Sequence, residues 1–292
     1  MSATPSLFLG AQRSLEQSGG ETAMQLPAHH LVTHGVVVGM TGSGKTGLVT
    51  VLVEEALRSE VPVLVIDVKG DLPNLLLSFP SFDPAAFLPW VGTVAAPTDT
   101  RSPDQLAADL AYERARALGA WGIAESAVAA YARSTHVRVI TPGSSAGEPL
   151  HVLSALERQS ERWSQDPESA RAALSAAVSL LLRLLGRDAD PARSKEHVLL
   201  SVLAEARLSA GESADLSALL LDVVQPPITH VGALELDAFL PKSERRALAA
   251  GLNTLLASPT FASWRQGATL DVASWLTPRD GKTPAVVVSV AH

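Results

Sequence analysis

Gly39-Met40-Thr41-Gly42-Ser43-Gly44-Lys45-Thr46 is the stretch on which the reading of this chain turns. Its spacing is GxxxxGK followed by Ser or Thr. Glycines at such positions let the backbone curl, so that several N–H groups converge on one concavity suited to phosphate oxygens. A helix that begins here adds its unpaired N–H groups and the positive end of its dipole. In a loop of this kind the ammonium of Lys45 reaches the β- and γ-phosphates, and the hydroxyl of Thr46 ligates magnesium. Residues 39–46 are therefore the expected site for ATP and Mg2+, with Lys45 in a catalytic role as well. A chance match in a turn is the competing reading, and the flanking sequence argues against it.

Val36–Val38, just before the loop, is a short β-branched run and is expected to be a strand. After the loop, Leu48, Val49, Leu52, Val53, Ala56 and Leu57 recur at intervals of three and four, which predicts a helix from Thr46 to Ser59. Pro62 ends it. Val63–Ile66 is a continuous apolar run, as in a strand buried on both faces. Strand, glycine loop, helix and strand make one βαβ unit, and such units build parallel sheets.

Asp67 follows that apolar run. Ligands in open α/β sheets gather at the carboxyl ends of strands, so Asp67 is a candidate catalytic residue and a candidate magnesium ligand beside Thr46. The alternative is a strand-end aspartate that caps the turn Val68-Lys69-Gly70-Asp71. Asp67 to Gly70 also fits the DxxG of GTPases, but no Asn-Lys-x-Asp segment follows to read guanine. A small-molecule kinase would need an arginine-rich lid, and none stands out.

Residues 1–34 form a lead-in with a Gly-rich turn at 18–21. Residues 70–103 look irregular, helices are expected near 104–119 and 122–133, and His136–Ile140 is a strand candidate ahead of a loop at 141–149. From about 166 to 257 the pattern is mostly helical, 263–282 is turn-rich, and Ala285–Val290 reads as a strand. The expected architecture is α/β: a P-loop NTPase of the RecA-like type, with a mostly parallel sheet over 35–292 and a largely helical insertion at about 152–280.

The composition narrows the partners. The chain is 292 residues long and 47% hydrophobic, enough for a large core, with only 4% aromatics, so Leu, Val and Ala must do the packing. A net charge of -7 gives no broad electrostatic footprint for nucleic acid, although a local basic ring could still act on DNA. The absence of cysteine excludes disulfides, zinc thiolates and thiol nucleophiles. No secretory pattern opens the chain, and no run of about 18 apolar residues occurs, so the expectation is a cytoplasmic protein with no membrane span. Lys69, the Lys242/Arg245/Arg246 cluster and the His29/His30/His34 group all have bland readings. They are taken as a turn lysine, a solvated helix face and surface histidines without a closed metal geometry. Leu181, Leu182, Leu184 and Leu185 read as core packing.

Beyond the motif itself, HGVVVGMTGSGKTGLVTVLVEEAL (34–57) and VPVLVIDVKGDLPNLLL (61–77) resemble the HerA/FtsK superfamily of P-loop ATPases, in its HerA central-domain type. The segment at 34–57 is similar to the family's Walker A. That at 61–77 is similar to its DPKGD strand, with Val68 where proline is usual. FDPAAFLPWV (82–91), RVITPGSSAGEPL (138–150), DPARSKEHVLL (190–200) and PKSERRALAAGLNTLLASPTFASW (241–264) resemble the same group, so the likeness runs from about residue 8 to the end. It implies ATP hydrolysis coupled to DNA translocation or unwinding, helicase-like, in a homo-oligomer that is a hexamer by family. The family's later Asp-Glu strand (its Walker B), its sensor residue and its arginine finger have no counterpart in this sequence. The expectation is therefore an incomplete catalytic domain, with a nucleotide-binding module that does not hydrolyse by itself as the alternative.

Overall fold

The computed structural model describes residues 6–12, 22–94, 99–157 and 162–291; the expected turn at 18–21 lies outside them. The chain divides into two compact units, one made of the segments up to Val139 and from Val272 onward, the other of Ile140–Asp271. The latter unit thus starts and ends about ten residues before the helical insertion expected from sequence.

The first unit opens with β1 (Ser6–Gln12) and β2 (Thr22–Pro27), an antiparallel pair. Leu7 is fully buried, and the Phe8 N–H donates to Glu55 Oε2 at 2.8 Å on the helix α1 (Lys45–Arg58). The segment that sequence reads as a lead-in is therefore a hairpin anchored to the helix after the glycine loop. Helix α1 starts one residue earlier than the periodicity predicts. It buries Val53, Ala56 and Leu57, and leaves Lys45 at its first turn.

The sheet that this helix covers is built from β3 (Val63–Asp67), β4 (Thr135–Ile140) and β5 (Thr283–Ser289), in the order β3–β5–β4. Strands β3 and β5 are parallel, with Val63 opposite Ala285 and Asp67 opposite Ser289. Every residue of β5 is buried, which explains why its sequence is a nearly unbroken apolar run instead of an alternating one. Val53 and Leu57 of α1, Leu75, Tyr131, Ala285 and Val287 share one core, with Val63, Val65, Val137 and Val139 packed against it. Tyr131 belongs to α3 (Glu125–Ser134), the helix that leads into β4.

Val36–Val38 departs from expectation. It belongs to no strand, and Val36 and Val38 are 86% and 83% exposed. β-branched residues favour a strand only where a neighbouring strand supplies the ladder and a packed face, and among the described residues β3 and β4 each pair with β5 alone. The α/β class with a parallel ladder stands, but the strand before the glycine loop is missing from the sheet. The stretch expected to be irregular, 70–103, contains short helices at Leu72–Leu76, Pro84–Phe87 and Val91–Val94. Phe87 and Val91 pack on Ala107 and Ala111 of α2 (Pro103–Gly119), whose first turn is closed by a reciprocal Ser102–Gln105 capping box. Phe79 stacks on Phe87 with ring centroids 4.6 Å apart, and the Arg114 guanidinium lies over the Phe79 ring.

The second unit is a leucine-rich helical assembly. Its main helices are α4 (Pro167–Leu184), α5 (Lys195–Ser209), α6 (Leu216–Val224) and α7 (Lys242–Ala257). Asp166, Ser194 and Asp215 each accept a backbone N–H from the first turn of the helix that follows, a contact worth about 1 kcal/mol apiece. Leu181, Leu182, Leu199, Leu200, Leu203, Leu248 and Leu252 are fully buried in one cluster. With aromatics so sparse, these side chains carry the packing, each worth roughly 1.5–3 kcal/mol on burial. The Arg207 guanidinium forks onto both carboxylate oxygens of Asp222, joining α5 to α6. None of the helices in the described residues is long and apolar enough to cross a membrane.

Two outcomes follow from this packing. Leu203→Ala should lower the free energy of unfolding by about 2–5 kcal/mol, as read by urea denaturation; a loss under about 1 kcal/mol would mean that the site is not the packed centre described. On α1, burial raises the Glu54 carboxyl above the ordinary carboxylate range, with Arg114 opposing. A raised folded-state pKa means that ionising Glu54 costs stability as pH rises through the ordinary range and beyond. Glu54→Gln should therefore melt higher than the wild type at neutral pH and equal to it near pH 4, in thermal melts at both; a gap at the acid end alone would reverse the sign argued here.

Candidate functional site

The glycine loop occupies 39–44 as an exposed turn that runs straight into α1. Gly42 and Gly44 have φ of +80° and +86°, a region that other residues enter only with strain. Gly39 meets a different constraint: a Cβ there would stand 2.4 Å from Ser43 Oγ, which would have to rotate away. The loop is pinned by the Ser43 N–H donating to Met40 O at 3.2 Å, and the first helical bond runs from Leu48 N to Gly44 O at 2.9 Å. No side chain caps this helix start. The first-turn N–H groups therefore have no intrahelical acceptor, and they open on the exposed loop. That is the donor set an anion needs.

Lys45 sends its ammonium back over the loop, donating to Gly39 O at 2.7 Å and Met40 O at 2.6 Å. The side chain is thereby held above the concavity formed by its own turn. Thr46 is exposed, and its hydroxyl lies 3.4 Å from Asp71 Oδ2. The residues expected to hold phosphate and cation thus lie together at one helix start, and an acid from the turn after β3 reaches the same place.

That acid is not Asp67. Asp67 is only 4% exposed, at the end of β3. Its Oδ1 accepts the N–H groups of Lys69 and Gly70 at 3.1 and 3.0 Å, and its Oδ2 accepts that of Leu72 at 3.2 Å. This is the turn-capping arrangement, the alternative that the sequence allows for a strand-end aspartate. Its backbone carbonyl is also used, accepting from Val290 N at 2.9 Å where β3 runs beside β5. Asp71, four positions on, is the acid that reaches Thr46, and sequence reasoning does not single it out. The available signal is Gly70: its φ of +83° turns the chain so that the residue after it points back toward α1.

Of the other expected features, Lys69 is exposed and pairs with Asp71 at 3.4 Å. Arg245 is a correction: it is buried, not solvated, and donates to Asp237 Oδ1 at 2.7 Å and Leu240 O at 3.1 Å. Lys242 and Arg246, its neighbours on α7, are exposed. His29 and His30 are exposed and meet edge to face, and no group of three or more metal-ligating side chains is present among the described residues. A site of the magnesium type needs no such cage, since the ion takes one or two protein ligands and completes its shell with phosphate and water.

Comparison with known proteins bears on this region. Residues 18–107 match the family model described as helicase HerA, central domain. The match takes in the glycine loop, α1, β3 and the turn that carries Asp71. No curated protein and no solved structure matches the chain.

The hydrogen bonds of Asp67 give a direct test. Asp67→Ala leaves three backbone donors without their acceptor, at a cost of about 1–3 kcal/mol. Thermal and urea unfolding should show that loss, with Asp67→Asn, which keeps one acceptor oxygen, in between. Unchanged stability in both variants would detach Asp67 from the turn.

Proposed function

Because residues 18–107 match the helicase HerA central-domain model, we propose an ATP-binding protein of the HerA/FtsK type that hydrolyses ATP to move along or unwind DNA, in the cytoplasm, as a homo-oligomer of hexameric type. The observation that supports the nucleotide site is the uncapped start of α1 with the Lys45 ammonium poised over the glycine loop. In this reading the backbone N–H groups of Gly42, Gly44 and Lys45 hold phosphate oxygens, while Met40, Thr41 and Ser43 shape the rim. Lys45 carries the positive charge to the terminal phosphates, and Thr46 offers its hydroxyl to Mg2+. The cation supplies charge neutralisation on the phosphates. The adenine is read little, since the loop's donors all concern phosphate.

One observation favours a different reading, a nucleotide-binding module without hydrolysis of its own. Asp67, the strand-end acid expected to serve catalysis, has its carboxylate committed to three backbone N–H groups. Orienting or activating water requires a free acceptor beside the terminal phosphate. Steady-state phosphate release with and without DNA separates the two: DNA-stimulated turnover supports the motor, and binding without turnover supports the module.

The binding step itself is tested by titrating a fluorescent ATP analogue. Lys45→Ala should weaken affinity at least about tenfold, a difference of about 1.4 kcal/mol. Equal affinities for the two proteins would remove the nucleotide site from residues 39–46.

A further inference from the structure

We infer that Asp71 is the acidic residue that faces the divalent cation at the nucleotide site, and that Asp67 serves it by holding the turn on which it sits. The inference rests on the ATP-binding reading above and names a residue which that reading leaves out. Three features carry it. First, Asp71 Oδ2 stands 3.4 Å from Thr46 Oγ1. A hydroxyl–carboxylate bond prefers about 2.5–3.0 Å, so this contact is loose. It exceeds by only about 0.4 Å the edge of about 3.0 Å that separates adjacent ligands around an octahedral ion with bonds of about 2.1 Å. The two oxygens are therefore spaced to share a small hard cation, or one of its waters, with little movement.

Second, the Asp71 side chain is 45% exposed, and its Oδ2 is held only by long contacts of 3.4 Å to Thr46 and to Lys69. Asp67 is buried and its oxygens are already accepting. A carboxylate that stabilises a turn through three N–H bonds cannot be drawn to a metal without releasing that turn. Third, the anchoring by Asp67 brackets Asp71. The N–H groups of Gly70 and Leu72, on either side, both donate to Asp67, and Gly70 takes the positive φ that reverses the chain. Asp71 is thus presented from a fixed backbone, as an ion site requires. Its other partner, Lys69 at 3.4 Å, is 74% exposed. Such a surface pair is weak and exchanges readily for a stronger charge.

The test is the magnesium dependence of nucleotide affinity, without reference to turnover. The fluorescent ATP analogue is titrated against the full chain with Mg2+ and with EDTA. The wild type should bind more tightly with Mg2+. Asp71→Asn, an isosteric change at a half-exposed position that leaves the thermal transition in place, should lose at least about tenfold of that enhancement. Its affinity in EDTA should be unchanged or higher, because a negative charge near the phosphates is gone. Mn2+ bound in the presence of the analogue, counted by electron paramagnetic resonance, should weaken in parallel. Full magnesium enhancement in Asp71→Asn, beside a wild type that shows it, would overturn this inference alone, as would a wild type that binds equally with and without Mg2+. No binding of the analogue by the wild type under either condition would overturn the nucleotide reading and this inference together.

Discussion

The buried carboxylate of Asp67 is the constraint on which the turn after β3, and with it the position of Asp71 beside α1, depends. It closes β3, gathers three turn donors, and through its own carbonyl meets the chain leaving β5. A charged group so thoroughly buried is tolerated only because its hydrogen bonds are made. The effect is positional. The end of the parallel ladder becomes rigid, and the turn after it is aimed at the start of α1. The loop with Lys45 and Thr46 is fixed from the other side by the glycine conformations and by the packing of α1 on the sheet core. Two separately anchored segments therefore meet at a common point without either being buried there.

Much of this is legible from residue pattern because the determinants are local. The periodicity after Thr46 marks α1 to within a residue, and the apolar runs mark β3 and β5, although only β5 is buried throughout. Among the described residues β3 is an edge strand whose Ile66 is exposed, not the strand buried on both faces that its sequence suggests. The main helices of the second unit fall within the stretch from about 166 to 257 that reads as mostly helical. What the pattern does not carry are features decided by distant neighbours. Val36–Val38 has the composition of a strand but no ladder to join. The hairpin of β1 and β2 depends on Leu7 and Phe8 finding α1, far along the chain. Arg245 has the look of a surface arginine until Asp237 and the Leu240 carbonyl are brought under it.

The same distinction divides the two acids of the turn. Position at a strand end draws attention to Asp67, and strand ends do collect ligands in α/β sheets. Yet strand ends also collect caps, because the turn that follows leaves backbone donors to satisfy. Only the direction of the side chain decides between them, and that direction is tied to the turn made at Gly70. Sequence carries both facts but not their combination.

The parked ammonium of Lys45 has a consequence for selectivity. Two of its three N–H donors are held by carbonyl dipoles, so a group that draws the whole ammonium to itself must displace those dipoles. A neutral acceptor offers about what the carbonyls offer, and the exchange yields nothing. A multiply charged anion offers a charge–charge interaction in place of charge–dipole bonds, and the difference grows with the charge it brings. In the ATP-binding reading proposed above, the loop would answer to the density of negative charge rather than to the mere presence of an oxygen.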